Sequence, residues 1–176
     1  MNFEETKLQG AYVISPELLE DSRGFFAREF CKEQYEAYGL NSNIVQCNMS
    51  FNHLAGTVRG MHFQLPPHQE VKIVRCTQGA IFDVIVDLRK ESKTFKQWVG
   101  VELTAQNRKH LYVPAGFAHG YQTLVDSTEV AYQVTEYYTP GSERGVKWSD
   151  PAFDISWPKP VSCISDKDRQ HPVYQL

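Results

Sequence analysis

An all-β domain, a sandwich or barrel of many short strands, is predicted from three observations on the 176-residue chain. Apolar and polar residues alternate with a period of two through much of the chain from residue 42 onward, the pattern of strands with one face on a core. The runs are short and divided by turn signals, among them Gln78-Gly79, Pro114-Ala115-Gly116 and Thr139-Pro140-Gly141, and closely spaced short strands pack as sandwiches or barrels. Only Lys32 to Tyr38 reads as a helix, with Gly39 placed to stop it, so helices are expected to be short and peripheral.

After that helix, Thr57 to Gln64 and the segment carrying Lys72 read as neighbouring strands. In Ile81 to Leu88 the positions Phe82, Val84, Val86 and Leu88 form an apolar face while Asp83 and Asp87 share the other, which predicts a half-buried strand. The two aspartates read as a solvated or salt-bridged face in preference to a catalytic pair. Further strands are predicted over residues 70–76, 97–103, 109–113, 120–125 and 129–138. From Trp148 to Leu176 the prolines Pro151, Pro158, Pro160 and Pro172 predict an ordered irregular wrap. No repeat or linker divides the chain, and 41% hydrophobic residues suffice for one core, so residues 1–176 are expected to form a single domain.

A formal net charge of -3 argues against a nucleic-acid surface or a polybasic membrane surface. An anionic ligand must then be met by a focused cluster of cations. Cys31, Cys47, Cys76 and Cys163 include no C-x-x-C pair, which excludes a zinc-ribbon or thioredoxin motif and fits a reducing compartment. The N-terminus has no apolar signal region and no run reaches membrane-spanning length, so the expected location is the cytoplasm.

Chemistry concentrates in Thr57-Val58-Arg59-Gly60-Met61-His62-Phe63-Gln64, with Lys72 eight residues on. The set can decorate a strand surface, or it can grip an anion and move a proton beside it. A lone histidine among cations suits acid/base work better than metal binding, which wants several ligands. Strict alternation would put Arg59 and His62 on opposite faces, and Gly60 is where a bulge could reunite them. Lys72 alternates with Val74 and Cys76, and an ammonium on an apolar face needs an anionic partner or a cleft. Tyr132 shares a face with Val130 and Val134. Its phenol is either a core group with a satisfied hydroxyl, which spacing alone favours, or a proton donor in a cavity.

Pro114-Ala115-Gly116-Phe117-Ala118-His119-Gly120 resembles the second motif of the cupins, double-stranded β-helix or jelly-roll proteins in which that histidine commonly binds a metal. The first cupin motif ordinarily holds an H-x-H pair and a glutamate. Here Gln64 follows His62 and Lys72 stands downstream, so the usual ligand set is not assembled and no metal is expected. The fold expected is thus a cupin-like jelly roll.

A narrower resemblance rests on several segments in order: Asp21 to Phe26, Val58 to Gln64, Asp83 to Arg89, Pro114 to Tyr121, Tyr137 to Pro140, Trp157-Pro158, and Ser165 to Asp168. Together they resemble the dTDP-4-dehydrorhamnose 3,5-epimerase family across nearly the whole chain. The resemblance implies a cofactor-independent, dimeric jelly-roll isomerase that converts dTDP-4-keto-6-deoxyglucose on the way to dTDP-L-rhamnose. It implies His62 as general base, Asp168 as its carboxylate partner, Lys72 as the stabiliser of the enolate oxygen and Tyr132 as the proton donor on the other face of the sugar. It assigns substrate binding to Arg23, Gln46, Asn48, Arg59, His119, Glu143 and Lys167, with N-terminal segments exchanged in the dimer so that Arg23 serves the partner's site. One departure stands out: after Arg23-Gly24-Phe25-Phe26-Ala27 the family has a nucleotide-binding glutamate where this chain has Arg28, with Glu29 one place later. On a strand that displacement reverses the face. Either Glu29 is restored by a bulge or Arg28 takes the position.

These residue types suit the chemistry implied. A C4 ketone acidifies the protons at C3 and C5, and a histidine, whose ordinary pKa is about 6.5, keeps a neutral fraction near pH 7 to remove them. Three other readings stay open on sequence alone. One is a 3-epimerase of the same family or an enzyme using another nucleotide carrier. Another is a metal-dependent cupin oxygenase or isomerase, and the third a non-catalytic sugar-binding module.

Overall fold

The computed structural model describes residues 1–175, so Leu176, the end of the predicted wrap, lies outside the described residues. In chain order the elements are β1 (Asn2–Glu5), β2 (Tyr12–Ser15), β3 (Leu18–Asp21), β4 (Gly24–Ala27), α1 (Lys32–Ala37), β5 (Gln46–Asn52), β6 (Thr57–Gln64), β7 (Lys72–Gln78), β8 (Ala80–Asp87), β9 (Trp98–Thr104), β10 (His110–Val113), β11 (Phe117–Thr123), β12 (Thr128–Val134), β13 (Glu143–Gly145), β14 (Cys163–Ile164) and α2 (Asp166–Arg169). One sheet runs β1-β2-β10-β7-β12-β5 and the other β13-β6-β11-β8-β9, with β14 added in parallel beside β6 and β3–β4 forming a separate hairpin. This is the expected cupin-like jelly roll with short peripheral helices.

Inward side chains of both sheets share one core. Val74 of β7, Leu111 of β10 and Val130 of β12 meet Ile81 and Ile85 of β8, Leu103 of β9 and Tyr121 of β11. The outer face of the first sheet is covered where Ile73 and Tyr112 pack with Phe3, Tyr35 of α1 and Leu40. The proline-rich C-terminal segment covers the other sheet, laying Val146, Phe153 and Trp157 over Met61, Val84, Val86 and Ala118. The wrap therefore holds in place the sheet that carries His62.

Several expectations are corrected. Four strands precede α1, although the alternation pointed to strands only from residue 42. They are four residues each, and β3 is exposed throughout, so no apolar face advertises it. The β8 strand is buried on both faces: Ile81 and Ile85 join the inner core while Val84 and Val86 lie under the wrap. Asp83 and Asp87 are accordingly not solvated but fully buried. Asp87 stays charged there. Burial pushes its carboxyl up, but hydrogen bonds from Arg89, Ser92 and Thr94 outweigh that and hold it at about 2. The β12 strand ends at Val134 instead of residue 138, because the Gln64 amide accepts from Thr139 N–H at 2.9 Å and donates to the Tyr137 carbonyl at 3.2 Å, drawing the chain off the sheet. β11 starts earlier than expected, at Phe117. The wrap also contains one turn of helix, α2, whose N-terminus is capped by Ser165 Oγ accepting from Asp168 N–H at 3.1 Å.

A bulge on β6 fixes the geometry of the site. His62 pairs with His119 and Arg59 with Tyr121, so three steps along β6 answer two along β11. Gly60 sits there with φ +115, and a Cβ on it would lie 2.6 Å from Gly120 Cα and 2.8 Å from the His119 carbonyl oxygen. Both obstacles are backbone. Gly60→Ala is therefore expected to cost on the order of 2 kcal/mol or more through strain and displacement of β11, seen as a thermal midpoint lower by about 5 °C or more. An unchanged midpoint would show that the bulge can relax.

Candidate active site

The extra residue at Gly60 turns Arg59 and His62 to the same side, which strict alternation would not have done, and both line one lobe of a cavity between the sheets. Two adjoining lobes of about 160 and 150 Å³ share His62, Lys72 and Tyr132. His62 comes from β6 of one sheet, while Lys72 and Tyr132 come from β7 and β12 of the other. The imidazole and the phenol thus enter the space from opposite walls, with the ammonium beside them.

Asp168 backs His62. α2 presents its carboxylate so that Oδ1 lies 2.6 Å from His62 Nε2 and Oδ2 accepts the Gly60 N–H at 3.1 Å. Burial pushes the Asp168 carboxyl up, but the His62 contact and the Gly60 bond more than offset this and hold it below its ordinary value. An ionised carboxylate only accepts, so the hydrogen of this contact belongs to His62 Nε2, and Nδ1 is the ring nitrogen that can act as a base. Lys72 has the anionic partner its position requires: Nζ lies 3.1 Å from Glu70 Oε1, with both side chains nearly buried. Burial raises the Tyr132 phenol above its ordinary value. Arg59 opposes this and Glu70 adds to it, so the group is a protonated donor at neutral pH.

The remaining predicted residues divide. Gln46, Asn48 and Glu143 line the first lobe, and Arg59 and His119 the second. His119 Nε2 contacts the buried Asp83 at 2.7 Å, so Asp83 serves to orient a cavity histidine. Lys167 is exposed and pairs with Glu143 Oε2 at 2.7 Å, which lowers the Glu143 carboxyl and raises the Lys167 amine. Arg23 is 88% exposed at the β3–β4 turn, paired with Asp21 at 2.6 Å, and lines neither lobe of its own chain. β4 ends at Ala27, so the strand argument about Arg28 and Glu29 does not apply in its simple form. Glu29 is ion-paired with Arg75 on the outer side of the first sheet, and Arg28 lines a separate surface hollow with Glu17 and Phe26.

Two neighbours were not anticipated. His171 follows α2 and places Nε2 3.4 Å from Asp168 Oδ1, its ring edge-on to His62 at 5.5 Å between centroids. Burial and the charge of His62 push its pKa down despite Asp168. His62 is therefore not a lone histidine: with Asp168 and His171 it makes a trio of metal-ligand types whose donor atoms lie within 4.8 Å of one another. Nothing in the sequence distance linked these two histidines. Glu70 did carry a signal, since the strand predicted over residues 70–76 puts it on the face of Lys72, although β7 itself begins at Lys72.

An acid/base cavity inside a jelly roll defines a cupin-like protein built for proton transfer. The sequence profile of the dTDP-4-dehydrorhamnose 3,5-epimerase family matches residues 5–175. The curated dTDP-4-dehydrorhamnose 3,5-epimerase of Sinorhizobium fredii is 43% identical over 173 residues, covering 98% of this chain and 89% of that protein. The crystal structure of the Bacillus anthracis enzyme of that name, with TDP and PPi bound, superposes with a TM-score of 0.95 at 46% identity, covering 98% of this chain and 99% of that one. The Legionella pneumophila dTDP-6-deoxy-D-glucose-3,5-epimerase, in complex with dTDP-4-keto-L-rhamnose, gives 0.90 at 37% identity over 98% and 92% of the two chains. This chain belongs to the dTDP-4-dehydrorhamnose 3,5-epimerase family.

Proposed function

We propose that residues 1–176 form one catalytic domain that epimerises dTDP-4-keto-6-deoxyglucose at C3 and C5, giving dTDP-4-keto-L-rhamnose. The observation that carries this reading is the entry of His62 and Tyr132 into one cavity from opposite sheets, with Lys72 alongside. Inversion at a carbon beside a ketone needs a base on one face, an acid on the other and positive charge at the enolate oxygen. His62 Nδ1 removes the proton, and Asp168 stabilises the imidazolium that results. The C–H pair moves into the ring to form the enolate, Lys72 Nζ meets the charge growing on the C4 oxygen, and Tyr132 delivers a proton to the opposite face. The same groups serve C3 and C5 because both carbons flank one carbonyl. Arg59, His119, Gln46, Asn48, Glu143 and Lys167 hold the nucleotide-sugar around that centre.

The metal-free reading is supported by geometry. At 2.6 Å, His62 Nε2 and Asp168 Oδ1 are spaced for a shared hydrogen. Two metal–ligand bonds of about 2.0–2.2 Å to those atoms would meet at an angle well below tetrahedral. Tyr132→Phe tests the two-faced scheme. His62 can still remove a proton and return a solvent-derived one to the same face, so exchange should persist while inversion falls by on the order of a hundredfold. Inversion at C5 at the parent rate would place the donor elsewhere.

A homodimer fits the β3–β4 hairpin, a two-stranded unit that leaves Leu19, Phe25 and Phe26 at 59%, 47% and 65% exposure. An isolated hairpin is marginal in water and gains from a partner surface. In this arrangement Arg23 reaches the nucleotide in the second copy. The four cysteines are free, which fits a cytoplasmic setting.

A further inference from the structure

Three carboxylates line the first lobe, and two are already occupied. Glu143 receives Lys167 and the Tyr138 hydroxyl, at 2.7 and 3.3 Å, and Glu136 receives the Tyr137 N–H at 2.7 Å. Glu70 differs. Its side chain is 8% exposed, Oε1 faces Lys72 Nζ at 3.1 Å, and Oε2 is buried with no hydrogen-bond partner among the described residues. A buried acceptor left without a donor costs about 1–3 kcal/mol, and more when charged. Glu70 lines the first lobe, and each carboxylate oxygen has two lone pairs, so Oε1 can accept from Lys72 Nζ and from a ligand hydroxyl together.

We propose that Glu70 and Lys72 form a donor–acceptor pair that reads an α-hydroxy ketone: Lys72 meets the C4 oxygen while Glu70 accepts the hydrogen of the C3 hydroxyl. This rests on the epimerase reading above, in which Lys72 serves the C4 oxygen. The register follows from the sugar. C5 of a 4-keto-6-deoxy hexose bears a methyl carbon and the ring oxygen, so C3 carries the one hydroxyl vicinal to the ketone. The O3–O4 separation of such a ketol is comparable to the 3.1 Å between Lys72 and Glu70. A carboxylate accepts and cannot donate when ionised, whereas an ammonium donates and cannot accept. The pair therefore matches a hydroxyl beside a carbonyl and mismatches a sugar lacking that hydroxyl, which would leave Glu70 unsatisfied. Glu70 is on this account a specificity residue that fixes which way round the ring lies against His62.

The test compares solvent deuterium exchange at C5, a position both substrates possess, for the dTDP-linked 4-keto-6-deoxy sugar and its 3-deoxy analogue. The parent enzyme should favour the hydroxylated sugar by on the order of a hundredfold in kcat/KM, since a site built to bond a hydroxyl rejects the analogue lacking it. Glu70→Ala should bring that ratio to within about fivefold, chiefly by slowing the hydroxylated substrate. The isosteric Glu70→Gln exchanges a charge-assisted acceptor for a neutral one and should reduce the ratio by about threefold or more. It carries the test if the alanine variant does not fold. A slowing of both substrates by the same factor, or an unchanged ratio in the folded variants, overturns the proposal and leaves the epimerase reading intact. No exchange by the parent with either sugar overturns both.

Discussion

Replacing His62 with alanine is expected to abolish epimerisation and solvent exchange together while the jelly roll stays folded. General-base catalysis by a positioned side chain is worth about 10²–10⁴-fold, and here no enolate precedes proton removal, so C3 and C5 exchange should both fall by on the order of a thousandfold or more. The fold should survive because the side chain is 32% exposed and ends in the cavity, while Asp168 keeps the Gly60 N–H. Near-parental circular dichroism and a modest loss of melting temperature would confirm that the protein under test is native. Retained deuterium uptake by such a protein would assign the base to another residue.

Lys72→Gln should have the next largest effect, a loss of about 10²–10³-fold in kcat, the scale seen when one donor to a developing oxyanion is removed. Glutamine is chosen because it can still donate to Glu70, whose buried carboxylate would otherwise lose the group paired with it. The pattern matters as much as the size. Enolates formed from C3 and from C5 place their charge on the same C4 oxygen, so exchange at the two carbons should slow by the same factor, with KM changing little. Slowing at one carbon alone would move Lys72 away from that oxygen.

Much of this site was legible before any geometry was known, and the reasons are specific. His62 and Asp168 stood in short motifs in the order of a known family, Lys72 and Tyr132 stood out by their place on otherwise apolar strand faces, and the structure gathers all four about one cavity. The apparent conflict between Arg59 and His62 was also legible, because a period of two admits no other reading until a residue is inserted, and Gly60 marked the place. Of the two alternatives read for the polar face of β8, solvated or salt-bridged, the structure has the paired one, but in the interior. Asp83 and Asp87 are buried by neighbours distant in sequence or held in turns, His119 in one case and Arg89, Ser92 and Thr94 in the other. The early strands escaped because β3 buries nothing in its own chain, so no pattern of burial is written into it. His171 was half legible: its contact with Asp168 spans three residues of chain, whereas its place beside His62 exists only because α2 packs against β6. Arg28 shows the limit of a register argument. The one-residue displacement mattered only if the strand continued, and β4 stops at Ala27.

The central claim is that one base, one enolate clamp and one acid act on both carbons flanking the C4 ketone. The most direct measurement is proton NMR of dTDP-4-keto-6-deoxyglucose turned over by the unaltered protein in deuterated water, following the C3 and C5 signals and the configuration of the product. The account predicts deuterium at both C3 and C5 and a product inverted at both centres. Exchange and inversion confined to C3 would make the protein a 3-epimerase, and the absence of exchange at either carbon would contradict the account altogether.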